Sequence, residues 1–388
     1  MNLLKDKKIA IIGGGPGGLT LARLLLLKGA NVKVYERDLN RNVRVQGSRL
    51  DLSMESGLKA LEKANLMEVF KANYKADNER TRIVDANAKV FLDYKEEATG
   101  DFGDEYFRPE IERGTLRNIL LNSLEPETVV WNSHIVSLEK TEEIFQLNFE
   151  NGNKVTADIV IGADGANSKI RQFLTPVKAF YSGVTILQGS IYKPEENASK
   201  INDFFKDGKI MSFGDSKAIT VVSAKGNKSL DFALSWKTDL NSEIDFTNQN
   251  EVLKWFKKEY SNWDPIWLQL FEAANTKFVV RPQYCMPLDQ HWETQNNITL
   301  LGDAAHLMPP FAGEGVNMAM RDALELSESL TNEKFSDLKS AIANYEKQMF
   351  IRFAEIGKIT LNNTEWMHSP EGLNKMLLIK SKASNFKK

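Results

Sequence analysis

Two glycine-rich runs, far apart in the chain, hold the residues best suited to chemistry. The first, Gly13-Gly14-Gly15-Pro16-Gly17-Gly18, follows the apolar run Lys8-Ile9-Ala10-Ile11-Ile12 and opens a leucine-rich segment. In that setting Gly13-x-Gly15-x-x-Gly18 permits a tight turn and a close backbone approach to a pyrophosphate. The helix behind it turns the positive end of its dipole toward the same group. Glu36 ends the next apolar run, where a carboxylate accepts the hydroxyls of an adenosine ribose, and Arg37 beside it can flank an adenine or a phosphate. An isolated glycine turn would need no ligand. With strand, helix and acid in place, this one marks a dinucleotide site.

The second run is Leu301-Gly302-Asp303-Ala304-Ala305-His306-Leu307-Met308-Pro309-Pro310-Phe311-Ala312-Gly313-Glu314-Gly315-Val316-Asn317. A small-residue turn after a strand lets the Asp303 carboxylate reach a sugar-like hydroxyl, although alone it reads equally as an N-cap. Pro309 and Pro310 stiffen the approach to a second helix starting at Gly315. Its N-terminus can face an electron-rich ring such as a reduced flavin, which carries negative charge near N1 and O2. Between the two runs lies Ile161-Gly162-Ala163-Asp164-Gly165-Ala166-Asn167-Ser168-Lys169-Ile170-Arg171. Taken alone, it is a strand followed by a good turn.

These residues need elements to position them. The opening predicts strand, turn, helix from Pro16 to Lys28, and strand from Asn31 to Tyr35. Helices are expected around Glu55 to Asn65 and from Thr115 to Leu124, with strand alternation from Arg80 to Tyr94. A meander spans Ile135 to Val155, and Asp158 to Gly162 reads as a buried strand. From Thr185 to Trp236 strands alternate with polar turns, predicting an antiparallel sheet packed on one face. Helical patterns run from Asn248 to Glu272, and strands return at Lys277 to Arg281 and Asn297 to Leu301. Long helices follow from Gly315 to Leu330 and from Asp337 to about Asn363, and the last segment, Met376 to Lys388, is basic and expected to fray at its end.

The chain has 388 residues, 50 Lys+Arg against 52 Asp+Glu, one cysteine (Cys285) and four scattered histidines. That balance argues against a dedicated nucleic-acid or membrane-surface protein, and the cysteine count excludes an intramolecular disulfide framework or thiolate metal cluster. No apolar stretch approaches ~18 residues and no signal-peptide pattern opens the chain, so a soluble, cytoplasmic protein is expected. Nothing signals an oligomer, and a monomer is expected.

An N-terminal glycine run, an internal Asp-Gly motif and a late Gly-Asp motif, in that order, resemble the class A flavin-dependent monooxygenases. These are the aromatic-ring hydroxylases with the p-hydroxybenzoate hydroxylase fold. Finer runs, Val34-Tyr35-Glu36-Arg37-Asp38, Leu50-Asp51-Leu52, Ile119 to Leu124, His306 to Gly313 and Asn344 to Ile351, look like the tetracycline-inactivating monooxygenases, the tetracycline destructases. The resemblance covers essentially the whole chain. It implies an α/β protein with an α+β insertion: a Rossmann-like FAD-binding domain over 1–74, 98–174 and 280–350. An antiparallel-sheet substrate domain would occupy 75–97 and 175–279, and a C-terminal helix and tail 351–388.

Carried over by motif, Gly13, Gly15, Gly18, Glu36, Arg37, Asp51, Arg113, Asp164, Asp303, Pro310, Gly313, Gly315, Val316 and Asn317 would hold FAD. Arg44 would meet NADPH, which visits a groove transiently because only one dinucleotide fingerprint is present. No side chain is assigned a catalytic role and no metal is expected. NADPH reduces the flavin, oxygen adds at C4a, and the hydroperoxide hydroxylates an electron-rich phenol or enol. A tetracycline would be the substrate, inactivated by the reaction, held by Gln188, Lys209, Asp231, Phe311 and Met367, with Trp366 adding to a cap. Lys209 stands where the destructases have an arginine, Asp231 where they have a histidine, and Thr220 or Val221 where they have a phenylalanine. Exchanging a planar, bidentate donor set in this way is not conservative. Other phenols or polyketides in the same reaction are the alternative, and a non-catalytic flavin- or prenyl-cargo escort protein is the alternative of another class.

Overall fold

The run Lys8–Ile12 becomes a strand at the centre of a five-stranded parallel sheet, its isoleucines buried. The order is Ile298–Leu300, Ile159–Gly162, Lys8–Ile12, Asn31–Tyr35 and Val129–Val130. Residues buried on both faces make Lys8–Ile12, Ile159–Gly162 and Ile298–Leu300 read as short apolar runs, whereas Asn31–Tyr35 alternates. The computed structural model describes residues 3–43, 49–75, 80–95, 101–104, 106–142, 144–206, 208–224, 229–240 and 244–385. Two compact units emerge. One comprises Met1–Ala76, Gly100–Phe180 and Cys285–Ile359, the other Asp77–Thr99, Tyr181–Tyr284 and Thr360–Lys388.

In the first unit the helix Pro16–Leu27 starts on a proline at its first turn, where no intrahelical donor is needed. It packs against the helix Gly315–Leu330 so closely that a Cβ on Gly17 would lie 2.9 Å from the Ala319 carbonyl oxygen. Strand Arg49–Asp51 pairs with Glu110–Glu112, and a three-stranded meander covers Ile135–Thr141, Ile144–Phe149 and Lys154–Ala157. The helix expected around Glu55 begins instead with a π-turn, Met54–Leu58, before Lys59–Lys63.

The second unit is built on a seven-stranded sheet, in the order Val279–Cys285, Phe180–Tyr192, Ser229–Lys237, Lys217–Ala224, Lys209–Gly214, Arg80–Asp85 and Val90–Lys95. Strands from Phe180 to Lys237 pair antiparallel with one another. Arg80–Asp85 joins parallel to Lys209–Gly214, so the sheet as a whole is mixed. A parallel neighbour needs a long crossover, and here it comes from a segment far upstream. One face is apolar: Leu187, Ile210, Val221, Phe232 and Leu234 pack with Phe256, Trp267 and Phe271 from the covering helices.

One expectation is corrected. The stretch between Tyr192 and Lys209 holds two short helices, Pro194–Asn197 and Ser199–Phe205, where only a strand-and-turn pattern was expected. The helical patterns from Asn248 to Glu272 form Gln249–Glu259 and Leu268–Glu272, separated by a 3-10 turn that Pro265 opens. The basic C-terminal segment carries a helix, Gly372–Asn385, whose Met376 is buried. Among the described residues no helix is long and apolar enough to cross a membrane.

Candidate active site

The glycine turn separates two reasons for having glycine. Gly13 has φ +112°, and a Cβ there would meet the Ala163 carbonyl oxygen at 2.3 Å, so the protein itself demands a glycine. Gly15 caps the helix in an extended conformation, and a Cβ there would meet no protein atom within 4 Å. The space over the helix N-terminus is open, as a bound pyrophosphate requires. Glu36, 2 % exposed, is oriented by Gly14 N–H at 2.6 Å on Oε2 and by Asp38 N–H at 3.0 Å on Oε1. Arg37 is exposed and lines a groove of about 540 Å³ with Asp38, Asn132 and His134.

A second open helix start stands at Gly315, where again a Cβ would meet nothing within 4 Å. Asn317, fully buried, donates to the Asp51 carbonyl at 3.0 Å and accepts from Ser53 N–H at 2.9 Å. It thereby fixes strand Arg49–Asp51 against this helix. Arg108 completes the arrangement, its Nε 2.5 Å from Asp51 Oδ2 and its Nη1 2.6 Å from Glu314 Oε1. Burial pulls this guanidinium down, but Asp51 and Glu314 outweigh it and hold its pKa above the usual arginine range.

Asp303 opens the short helix Asp303–His306. The residue is exposed to solvent, yet protein surrounds its carboxyl closely enough to desolvate it. Burial raises its carboxyl pKa, while His306, Arg113 and Arg171 pull it back and Asp322 adds to the rise. Arg171 donates to the carbonyls of Asp303 and Ala304, both at 2.7 Å, joining the internal and late motifs. Asp164 has a local role: it accepts from Ser168 Oγ at 2.6 Å and Lys169 N–H at 2.7 Å, capping its own turn. His306 is buried, 2.6 Å from Asp322, and stacks on Phe353.

On the second unit the registers place Gln188, Lys209, Thr220 and Asp231 on one face of the sheet. Gln188 lies opposite Ala233, whose other neighbour is Thr220; Asp231 and Lys209 both neighbour Val222. All four are half-buried. Towards Phe213, Ala218 and Ser235 the same face becomes buried, where His368 Nε2 meets Ser235 Oγ at 2.8 Å. Met367, beside it, is buried.

Comparison with known proteins decides the family. A model of the FAD binding domain family matches residues 6–336. The chain belongs to that family. It is a class A flavin monooxygenase with the p-hydroxybenzoate hydroxylase-type fold. Monooxygenase asqM of Emericella nidulans is 29 % identical, with 92 % of this chain and 95 % of that protein covered. The 6-hydroxynicotinate 3-monooxygenase of Pseudomonas fluorescens is 26 % identical, covering 95 % and 93 %. Tetracycline destructase Tet(51) superposes with a TM-score of 0.72 over 97 % of this chain and 94 % of its own, at 20 % identity, a likeness that shows the fold alone.

Within the first unit of this monooxygenase, Gly13, Gly15, Gly18 and Glu36 gather around one helix start, and Asp51, Gly313, Gly315 and Asn317 around the other. Pro310 and Phe311 form the 3-10 turn leading to it, with Pro310 exposed and Phe311 and Val316 half-buried. Arg113 is exposed and acts on Asp303 through charge. Arg44 lies outside the described residues. Arg108, Arg281 and Asp322 were not singled out in the sequence. Arg171 closed a quoted motif but went unassigned; its position after Asp164 was the available signal.

Proposed function

We propose that this FAD monooxygenase uses NADPH and O2 to hydroxylate an electron-rich enol or phenol, with tetracycline as the first substrate to test. Bound FAD supplies the redox chemistry, taking two electrons from NADPH and activating O2, so that one oxygen atom enters the substrate and the other leaves as water. The chain's own residues bind and orient. The open helix start at Gly15, with Glu36, suits the pyrophosphate and ribose, Asp303 suits a ribityl hydroxyl, and the helix at Gly315 favours negative charge on the ring.

The half-buried sheet face carries the substrate reading. Lys209 supplies a cation for a phenolate or enolate, Asp231 and Gln188 accept hydrogen bonds, and Thr220 can do either. Gln188 and Lys209 lie three strand spacings apart across the sheet and two residues apart along it, about 16 Å. That span suits a fused multi-ring molecule better than one ring. A single-ring substrate is the second reading, favoured by the Gln188–Arg281 pair, whose guanidinium could hold a ring carboxylate.

The test is NADPH consumption by FAD-loaded protein with tetracycline or with 6-hydroxynicotinate, coupled to mass spectrometry. Tetracycline-stimulated consumption with one added oxygen supports the first reading. Stimulation by the pyridine alone supports the second. Slow consumption yielding only peroxide with both would reject both substrates.

A further inference from the structure

Asp322 lies on the helix Gly315–Leu330 and is fully buried. Its Oδ2 accepts Gly302 N–H at 2.8 Å and sits 2.6 Å from His306 Nε2, while its Oδ1 accepts Arg352 Nη2 at 2.6 Å. Arg352 also reaches Glu325 at 2.6 Å, and Arg321 reaches Glu325 at 2.8 Å. Gly302, the residue this carboxylate grips, has φ 60° and ψ −146°, a conformation essentially restricted to glycine. A chain in that region stays there only when its surroundings over-determine it. Asp303 follows directly, so the direction of its carboxylate is set by the Gly302 turn on one side and by Arg171 on its own carbonyl on the other.

We propose that Asp322 is a positioning residue for the cofactor: it holds Gly302 in its glycine-only conformation and thereby aims Asp303 at the FAD ribityl chain. A buried ion pair is weak support for stability, since apolar residues of similar volume often serve as well. What an apolar residue could not supply is an acceptor for the Gly302 N–H, and that contact sits one residue from the cofactor-facing acid. The inference rests on Asp303 being a cofactor contact.

The experiment removes FAD from the holoenzyme, titrates it back, and follows flavin fluorescence and the fine structure of the bound-flavin absorption band. Four variants are compared: Asp303→Ala, Asp322→Leu, Arg352→Met and Asp322→Leu/Arg352→Met. The double variant removes the guanidinium that Asp322→Leu alone leaves buried without that carboxylate, so it keeps the test open if the single variant does not fold. Asp322→Leu and the double variant, which leave Gly302 N–H without its acceptor, should weaken FAD binding by about tenfold and blur the absorption band. Arg352→Met, which keeps the Gly302 and His306 contacts, should stay within about threefold of wild type even if its melting temperature drops as far as that of Asp322→Leu. Wild-type affinity in the double variant, or equal losses in Arg352→Met and Asp322→Leu, would overturn the proposal. Unchanged affinity in Asp303→Ala would instead remove the reading of Asp303 on which it rests.

Discussion

Gln188 Oε1 accepts a hydrogen bond from Arg281 Nε at 2.7 Å, linking neighbouring strands of the second-unit sheet side chain to side chain. The pair holds the guanidinium by its Nε, and Arg281 as a whole is exposed. Replacing Gln188 by Ala frees Arg281 and removes an acceptor from the half-buried face. We expect KM for the hydroxylated substrate to rise by about three- to tenfold with kcat changed far less, the pattern of lost ground-state binding. Steady-state kinetics at matched FAD content check it; an unchanged KM would take Gln188 out of the substrate site.

Gly15 and Gly18 should respond in opposite ways to alanine. A Cβ on Gly18 would lie 2.2 Å from the Gly13 carbonyl oxygen, so Gly18→Ala should cost the apo-protein about 1–3 kcal/mol by overpacking. Gly15 has φ −77° and open space, so Gly15→Ala should leave the apo melting temperature unchanged but weaken FAD binding. Equal FAD affinity in Gly15→Ala and wild type would show that no phosphate approaches there.

Arg108 bridges two carboxylates with two different nitrogens, a geometry that one ammonium cannot reproduce. Arg108→Lys should therefore destabilise nearly as much as Arg108→Met, by about 1 kcal/mol after screening by the solvent that reaches the site. Urea denaturation of the apo-proteins measures it. Full stability in the lysine variant would mean that bidentate bridging contributes nothing.

His368 gives the fold a pH dependence. Its burial lowers the imidazole pKa, with Lys237 adding to this and the Thr364 carbonyl and Glu365 opposing. Nδ1 donates to Thr364 O at 2.7 Å, so Nε2 accepts from Ser235 Oγ and the ring is neutral in the fold. Below about pH 6.5 the unfolded chain takes up a proton that the folded chain resists. The stability from this group is thus complete above that pH and declines as pH falls towards the lowered folded value. The urea midpoint should drop from about pH 7 to about pH 5.5, and less so in His368→Gln, which keeps a donor and an acceptor. Parallel curves for the two proteins would rule His368 out as the source.

Local signals account for what was readable. The apolar runs of the five-stranded sheet, the proline and glycines opening the helix at Pro16, and the acid at position 36 are each contained within a few residues. So is the long amphipathic pattern from Gly315. The helices at Pro194 and Ser199 were missed because runs of 4 and 7 residues are too short to show a helical period. The placement of Arg80–Asp85 beside Lys209–Gly214 could not be read at all, since strand pairing is selected by packing across the whole sheet.

By itself, the amino-acid sequence determined the family and the Rossmann-like start, because those features depend on residue type at fixed spacing; only the fold separated Gly15, over open space, from Gly13 and Gly18, against neighbouring backbone. Tertiary structure alone decided the partnerships. Arg108 is one arginine among many until folding brings Asp51 and Glu314 to it, and Asp322 is an ordinary helix residue until Gly302, His306 and Arg352 converge on its carboxylate. A hydrogen bond acts over about 3 Å. Residues that share one across hundreds of positions leave no trace in local spacing, and only the packed chain shows which of them meet.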